Sequence, residues 1–141
     1  MDFKGKHGLV VGVANKRSLA WAIAQSTAAR GATLALTYQG RFEDNVRDLA
    51  SELPTPGLVL PCDVTSDADM DAVFERLERE WGGIDFVVHG AAFAGKDELS
   101  GPFVATSRPG FLLAMDISAY SLVALARRAL PLMEQIGRAH V

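Results

Sequence analysis

The chain has 141 residues, a length that fits one domain, and 49% of them are hydrophobic, enough to fill a core and too many for a disordered chain. A net charge of -3 and a pI near 5.5 argue against nucleic-acid binding through overall charge, which needs a basic face. The single Cys62 rules out an internal disulfide, and neither an N-terminal apolar leader nor an uninterrupted apolar run of about 18 residues is present, so a soluble cytoplasmic protein is expected.

Gly8 to Gly12 is a short apolar run suited to a strand buried on both faces. It passes through a polar turn into a helical segment that opens near Ser18 and closes at Gly31, a residue type suited to the left-handed position past a helix. Strand, loop and helix in that order set up an anion site at the helix N-terminus. Ala32 to Tyr38 repeats the strand signal. Phe42, Val46, Leu49, Ala50 and Leu53 recur at helical spacing until Pro54-Thr55-Pro56-Gly57 stops them. Leu58 to Leu60 is a third strand, ending near Asp63. Met70, Val73, Phe74, Leu77 and Trp81 form the apolar stripe of a third helix, capped by Ser66 or Asp67. Ile84 to His89 is a fourth strand, and the alternation implies right-handed crossovers and a parallel sheet. A loop after Gly90 leads to a long segment from Phe111 to Met133. Between Ala119 and Leu132 it is apolar on almost every side, with Arg127 and Arg128 its only charges. Such a helix needs cover on more than one face, from more of this chain or from another subunit.

The turn after Gly12 departs from Gly-x-Gly-x-x-Gly, since Ala14 and Arg17 stand where further glycines belong. Gly12 serves either a close approach of backbone to pyrophosphate or a tight turn without ligand. Ser18 either offers its hydroxyl and N–H to a phosphate or simply caps its helix. Gln39 stands where nucleotide-binding sheets often place an acid for the ribose 2′-hydroxyl, so nothing there repels a 2′-phosphate, and Arg41 is close enough in sequence to attract one. Asp63 either accepts from an adenine amine, with the Val64 backbone completing the contact, or starts a turn. The small residues Gly90-Ala91-Ala92 end the fourth strand at the carboxyl edge of the sheet, where ligands of such folds sit, and serve either a nicotinamide ribose or helix packing. His89 reads as structural, His7 shows no partner, and Cys62 reads as a small buried hydrophobe. No two of these residues have metal-ligand spacing. Tyrosine occurs only at Tyr38 and Tyr120 and lysine only at Lys4, Lys6, Lys16 and Lys96, so no tyrosine has a lysine a few residues on. Tyr120 is followed by Arg127, whose guanidinium is a poor stand-in, and its surroundings read as a packed helix.

Five stretches taken together resemble a known family: Gly12-Val13-Ala14-Asn15-Lys16-Arg17-Ser18-Leu19-Ala20-Trp21, Thr37-Tyr38-Gln39-Gly40, Cys62-Asp63-Val64, Asp85 to Ala94, and Asp116-Ile117-Ser118-Ala119-Tyr120-Ser121. In unbroken order from about Phe3 to Glu134 they resemble the NADH-dependent enoyl-acyl-carrier-protein reductases of bacterial fatty acid synthesis, a divergent branch of the short-chain dehydrogenases. That family replaces the glycine-rich fingerprint by Gly-x5-Ser. The resemblance implies an α/β fold, a three-layer Rossmann-type doubly wound parallel sheet, truncated after the fourth strand and following helix. Residues 1–134 would be the N-terminal part of a single dinucleotide-binding domain. It also implies that Gly12, Ser18 and Leu19 hold the pyrophosphate side, that Gln39 lies near the adenine ribose, and that Asp63 and Val64 hold adenine. Ala91 would face the nicotinamide ribose and Ala94 the acyl substrate. The cofactor implied is NADH, with NADPH left open.

The implied reaction delivers hydride to the β-carbon of a trans-2-enoyl thioester of acyl carrier protein, leaving an enolate that a tyrosine stabilises. The implied assembly is a homotetramer packed through a helix like 119–132, with no metal, nucleic-acid or membrane partner. In the family, the catalytic Tyr-x6-Lys follows a fifth strand, which should begin just after Glu134. Gln135-Ile136-Gly137-Arg138-Ala139-His140-Val141 stands there instead, and its last six residues read as a translation of ATC GGA AGA GCA CAC GTC, one frame of a common sequencing adapter. Residues 135–141 are therefore expected to be a non-native tail, and the chain alone to be inactive. The alternatives are a fragment of another short-chain reductase acting on a carbonyl, marked by Tyr-x3-Lys downstream, and a non-catalytic nucleotide-binding fragment.

Overall fold

Alternation along the first strand sets the layering of a computed structural model that describes residues 2–138. In β1 (His7–Val11) successive side chains point to opposite faces, so Leu9 and Val11 enter one core and Val10 the other. Three more strands, β2 (Thr33–Tyr38), β3 (Leu58–Pro61) and β4 (Phe86–His89), pair in parallel in the order β3-β2-β1-β4. Leu9 stands between Ala35 of β2 and Val87 of β4 in the registers.

Helix α1 (Leu19–Ala28) buries Ala20, Trp21, Ala24, Thr27 and Ala28, positions that recur along one helical face. With α2 (Glu43–Ser51), which contributes Val46 and Leu49, it covers Val10, Leu34 and Leu36. The opposite layer is α3 (Asp67–Trp81) and α5 (Ser121–Arg138), with Met70, Val73, Phe74 and Leu77 of the first and Ala124, Leu125, Ala129 and Leu132 of the second packed on Leu9, Val11, Ala35 and Leu60. These helices on both faces make the expected three-layer doubly wound sheet.

Local chemistry matches the boundaries. Ser66, one of the two expected caps, accepts from the Asp69 N–H at 3.1 Å. Gly82 closes the same helix at φ +72°, donating its N–H to the Glu78 carbonyl at 2.8 Å. Asp85 ties β4 to β1 by accepting from the His7 N–H at 2.8 Å and from Lys6 Nζ at 3.0 Å. His7, for which no partner was foreseen, stacks on Trp81 with ring centroids 4.6 Å apart.

The long apolar segment departs from a single regular helix. It begins as α4 (Arg108–Met115), widens into a π turn over Asp116–Tyr120 and continues as α5. Among the described residues only one face of α5 is covered: Leu125 is 1% exposed, whereas Leu122, Val123 and Leu130 are each more than half exposed. The helical run Arg108–Gln135 reaches a mean hydropathy of 1.5 in an 18-residue window, long and apolar enough to cross a membrane by length and composition. The sequence reading found no such stretch because charged residues interrupt it. One of them, Arg128, is held by Asp71 at 2.6 Å and Asp67 at 3.1 Å on α3. Of the expected tail, residues 135–138 continue α5, and 139–141 lie outside the described residues. β4 is an edge of the sheet, and all four of its residues are only half-buried.

The register of α5 is testable by two truncations. Leu125→Ala is expected to cost about 2–5 kcal/mol in urea unfolding, the usual range for a filled core site, while Leu122→Ala should stay within about 0.5 kcal/mol. Equal losses would mean that α5 is rotated from the orientation described.

Candidate functional site

Parallel strands end on one side of a sheet, and here the segments that leave the four carboxyl ends enclose a cleft of about 450 Å³, a size typical of small-molecule sites. Its walls are Val11 to Ala14 after β1, Thr37 to Gln39 with Arg41 and Phe42 after β2, Cys62 to Val64 after β3, and Gly90 to Phe93 after β4, with Ile117 of the π turn.

Gly12 sits at φ +103°, where a Cβ would lie 2.3 Å from the carbonyl carbon and oxygen of Gly90. Gly90 in turn donates its N–H to the Val11 carbonyl at 2.8 Å, and a Cβ on it would meet Ala20 at 2.8 Å. Internal packing of β1, β4 and α1 therefore accounts for both glycines, and the same close fit leaves the backbone of Gly12 in the wall of the cleft.

Ser18 does not cap its helix through its side chain, contrary to one of its two expected readings. Its Oγ accepts instead from the N–H groups of Ala14 at 3.0 Å and Asn15 at 3.1 Å, folding the turn back on itself. Asn15 Oδ1 continues the pattern by accepting from Arg17 N–H at 2.8 Å. The N–H groups of Leu19 and Ala20, in the first turn of α1, have no partner within that helix. No acidic residue occupies that turn.

Gln39 and Asp63, 24 residues apart in sequence, meet at the ends of β2 and β3, with Gln39 Nε2 donating to Asp63 Oδ2 at 3.2 Å. A carboxylate can only accept, so this orientation turns Gln39 Oε1 away from Asp63 as a free acceptor. The other carboxylate oxygen accepts from Thr65 N–H at 2.9 Å and Thr65 Oγ1 at 2.7 Å. These bonds from Thr65, and then that from Gln39, hold the Asp63 carboxyl below its ordinary range. Asp63 therefore does start a turn, and it also lines the cleft. The Asp63 N–H is fixed by Asp69 Oδ2 at 2.9 Å. Cys62 is buried as expected, and burial first, then Asp69 and Asp63, push its thiol up to about 11.

The end of β4 is fastened by two serines of the apolar segment. Ser121 donates its hydroxyl proton to the Ile117 carbonyl at 2.6 Å, so at 2.7 Å it accepts from His89 Nε2, which fixes the proton on that ring nitrogen. Ser118 Oγ accepts from Phe93 N–H at 3.0 Å and donates to Phe93 O at 3.2 Å. His89 is thus structural, and the two serines hold Ile117 at the cleft.

The cleft gathers Gly12, Gln39, Asp63, Val64 and Ala91 of the residues expected from sequence. It leaves out Ser18, which acts from behind the loop, Leu19, which is 83% exposed on α1, and Ala94, which is half-buried just past the wall. Tyr120 is not in a packed helix as expected: it sits on the π turn, 50% exposed. Sequence reasoning missed Tyr38, Phe42, Phe93 and Ile117 as lining residues. For Ile117 a signal existed, because serines inside an apolar helical run back-bond to the main chain and bend it. Among the described residues no group of three His, Cys, Asp or Glu is placed to hold a metal.

Comparison with known proteins bears on this cleft. Residues 12–140 match the family model described as enoyl-(acyl carrier protein) reductase. The enoyl-[acyl-carrier-protein] reductase [NADH] FabI of Bacillus cereus is 53% identical over 136 residues, covering 95% of this chain and 53% of that protein. The protein of the same name from Nostoc is 45% identical over 141 residues, covering 97% of this chain and 54% of the relative. The crystal structure of the Bacillus cereus enoyl-acyl carrier protein reductase with NADP+ and indole naphthyridinone superposes with a TM-score of 0.90 at 53% identity, over 94% of this chain and 53% of that one. That of the Aquifex aeolicus enoyl-[acyl-carrier-protein] reductase (NADH) gives 0.88 at 47% identity, over 93% and 56%. The chain spans about half the length of the curated relatives it matches.

The Asp63 turn carries a pH signature. A carboxyl held low in the folded state stabilises above its unfolded value and loses that contribution as pH falls through the folded one. Asp63→Asn should therefore cost about 1 kcal/mol at pH 7, a gap to wild type that closes as pH drops below about 4. A gap independent of pH in urea unfolding would contradict the assignment.

Proposed function

The chain belongs to the enoyl-(acyl carrier protein) reductase family, and from that premise we propose that it is the cofactor-binding portion of an NADH-dependent reductase of trans-2-enoyl-acyl-carrier-protein in bacterial fatty acid elongation. The observation that carries this reading is the convergence of four strand ends on one cleft, with Gln39 and Asp63 joined across it. Gly12 and the first turn of α1 at Leu19 offer backbone N–H groups to the pyrophosphate, over a loop whose shape Ser18 Oγ maintains. The free Oε1 of Gln39 accepts from the adenine ribose. Asp63 and Val64 flank adenine, and Ala91 leaves room for the nicotinamide ribose. Ala94 lies on the acyl side. The names of the relatives above support NADH as the cofactor, which supplies hydride when bound.

The same reading gives the whole protein a thioester of acyl carrier protein as substrate, a cytoplasmic location and a homotetrameric assembly, without metal, nucleic-acid or membrane partner. The bare apolar side of α5, where Leu122, Val123 and Leu130 are exposed, supports subunit packing there. Reduction of the double bond needs a proton donor facing the hydride. Of the two tyrosines in the chain, Tyr38 lies at the end of β2 and Tyr120 on the π turn, and neither is followed by a lysine a few residues on.

The purified 141-residue chain is accordingly expected to show no NADH-dependent reduction of crotonyl thioester and only weak NADH affinity. The first is checked by absorbance at the nicotinamide band and the second by titration; clear turnover would refute the assignment of the proton donor to a tyrosine and lysine outside these residues.

A further inference from the structure

We propose that Ser118 is a positioning residue for the nicotinamide half of the cofactor site: its one hydroxyl holds residues 91–93 of the cleft wall in place, while the adenine half stands without it. The inference rests on the dinucleotide reading above and adds to it which residue outside the cleft one half of the site depends on.

That stretch of wall has little else to hold it. Pairing of β4 with β1 ends at His89, and Gly90 N–H on the Val11 carbonyl at 2.8 Å is the last bond to the sheet. Among the described residues, the only hydrogen bonds between residues 91 and 94 are the two at Phe93. Its N–H donates to Ser118 Oγ at 3.0 Å, and its carbonyl accepts from the same hydroxyl at 3.2 Å. A hydroxyl carries one proton and two lone pairs, so a single side chain meets both needs. Ala91, Ala92 and Phe93 all line the cleft, suspended between Gly90 and Ser118.

The π turn brings that hydroxyl within reach. Ser121 N–H bonds to the Asp116 carbonyl five residues back, so the turn carries one residue more than a regular helical turn. Two consecutive residues then serve the segment that leaves β4: Ile117 enters the cleft wall and Ser118 fastens Phe93. The adenine half is held separately. Ser18 Oγ shapes the loop after β1, Gln39 meets Asp63, and Asp69 fixes the Asp63 N–H, and none of these bonds involves the π turn.

The test titrates the 141-residue chain with NADH and with ADP, which carries adenosine and a pyrophosphate but no nicotinamide ribose. Ser118→Ala is expected to weaken NADH binding about tenfold and to leave ADP binding within about twofold of wild type. Hydrogen exchange followed by NMR should quicken at the Phe93 amide and stay unchanged at that of Asp63. NADH affinity or Phe93 exchange unaltered by Ser118→Ala would overturn the proposal and leave the nucleotide site standing. So would an equal loss of NADH and ADP binding, the mark of a hydroxyl that serves only the fold. Binding of neither nucleotide by the wild type would overturn both the proposal and the dinucleotide reading.

Discussion

The structure depends on one close approach, that of the β1 end to the β4 end. Gly12 lies in the left-handed region against the carbonyl of Gly90, and Gly90 is hydrogen-bonded to Val11 and packed on Ala20. Side chains at either position would push the two strand ends apart and lift α1 from the sheet. With both absent, the backbone after β1 turns sharply toward α1, and the loop after β4 crosses beside it. The cleft is the space that this crossing leaves open at the carboxyl edge of the sheet.

Around that crossing, charge and hydrogen bonds are spent on shape. Ser18 shapes the first loop, Asp69 and Thr65 hold Asp63, and Ser118 and Ser121 hold Phe93 and His89. Asp63 at the cleft wall is thereby fixed by Thr65 and Asp69, neither of which lines the cleft, as expected of a preorganised binding site. The far layer is less complete. α5 packs on β1 and α3 through Ala124, Leu125, Ala129 and Leu132, yet its other side and the edge strand β4 lack cover among the described residues. The cleft takes its walls from all four strand ends, the edge strand β4 included, together with Ile117 of the π turn.

Most of the layering was legible from the period of the apolar residues. The strands fall where the short apolar runs stand, within a residue or two, because β1 and β2 are buried on both faces and tolerate little else. Ser66 and Gly82 bound α3 through chemistry that needs no tertiary context. The misses have a common cause, contacts made across the fold. Whether Ser18 caps its helix or organises its loop depends on where Ala14 and Asn15 turn, just past the point where Gly12 meets Gly90. The π turn at Asp116–Tyr120 follows from serines answering Phe93 and His89, which lie more than twenty residues upstream of them. The pairing of Gln39 with Asp63 likewise needs β2 and β3 side by side.

The central claim, that the strand-end crossing builds a dinucleotide site, is tested most directly by following backbone amide shifts of the isotope-labelled chain during an NADH titration. The account predicts that Gly12, Gln39, Asp63, Val64 and Ala91 shift together along one binding curve, with the amides of α3 unmoved. Shifts confined to the exposed side of α5, or none at those five positions at saturating cofactor, would contradict it.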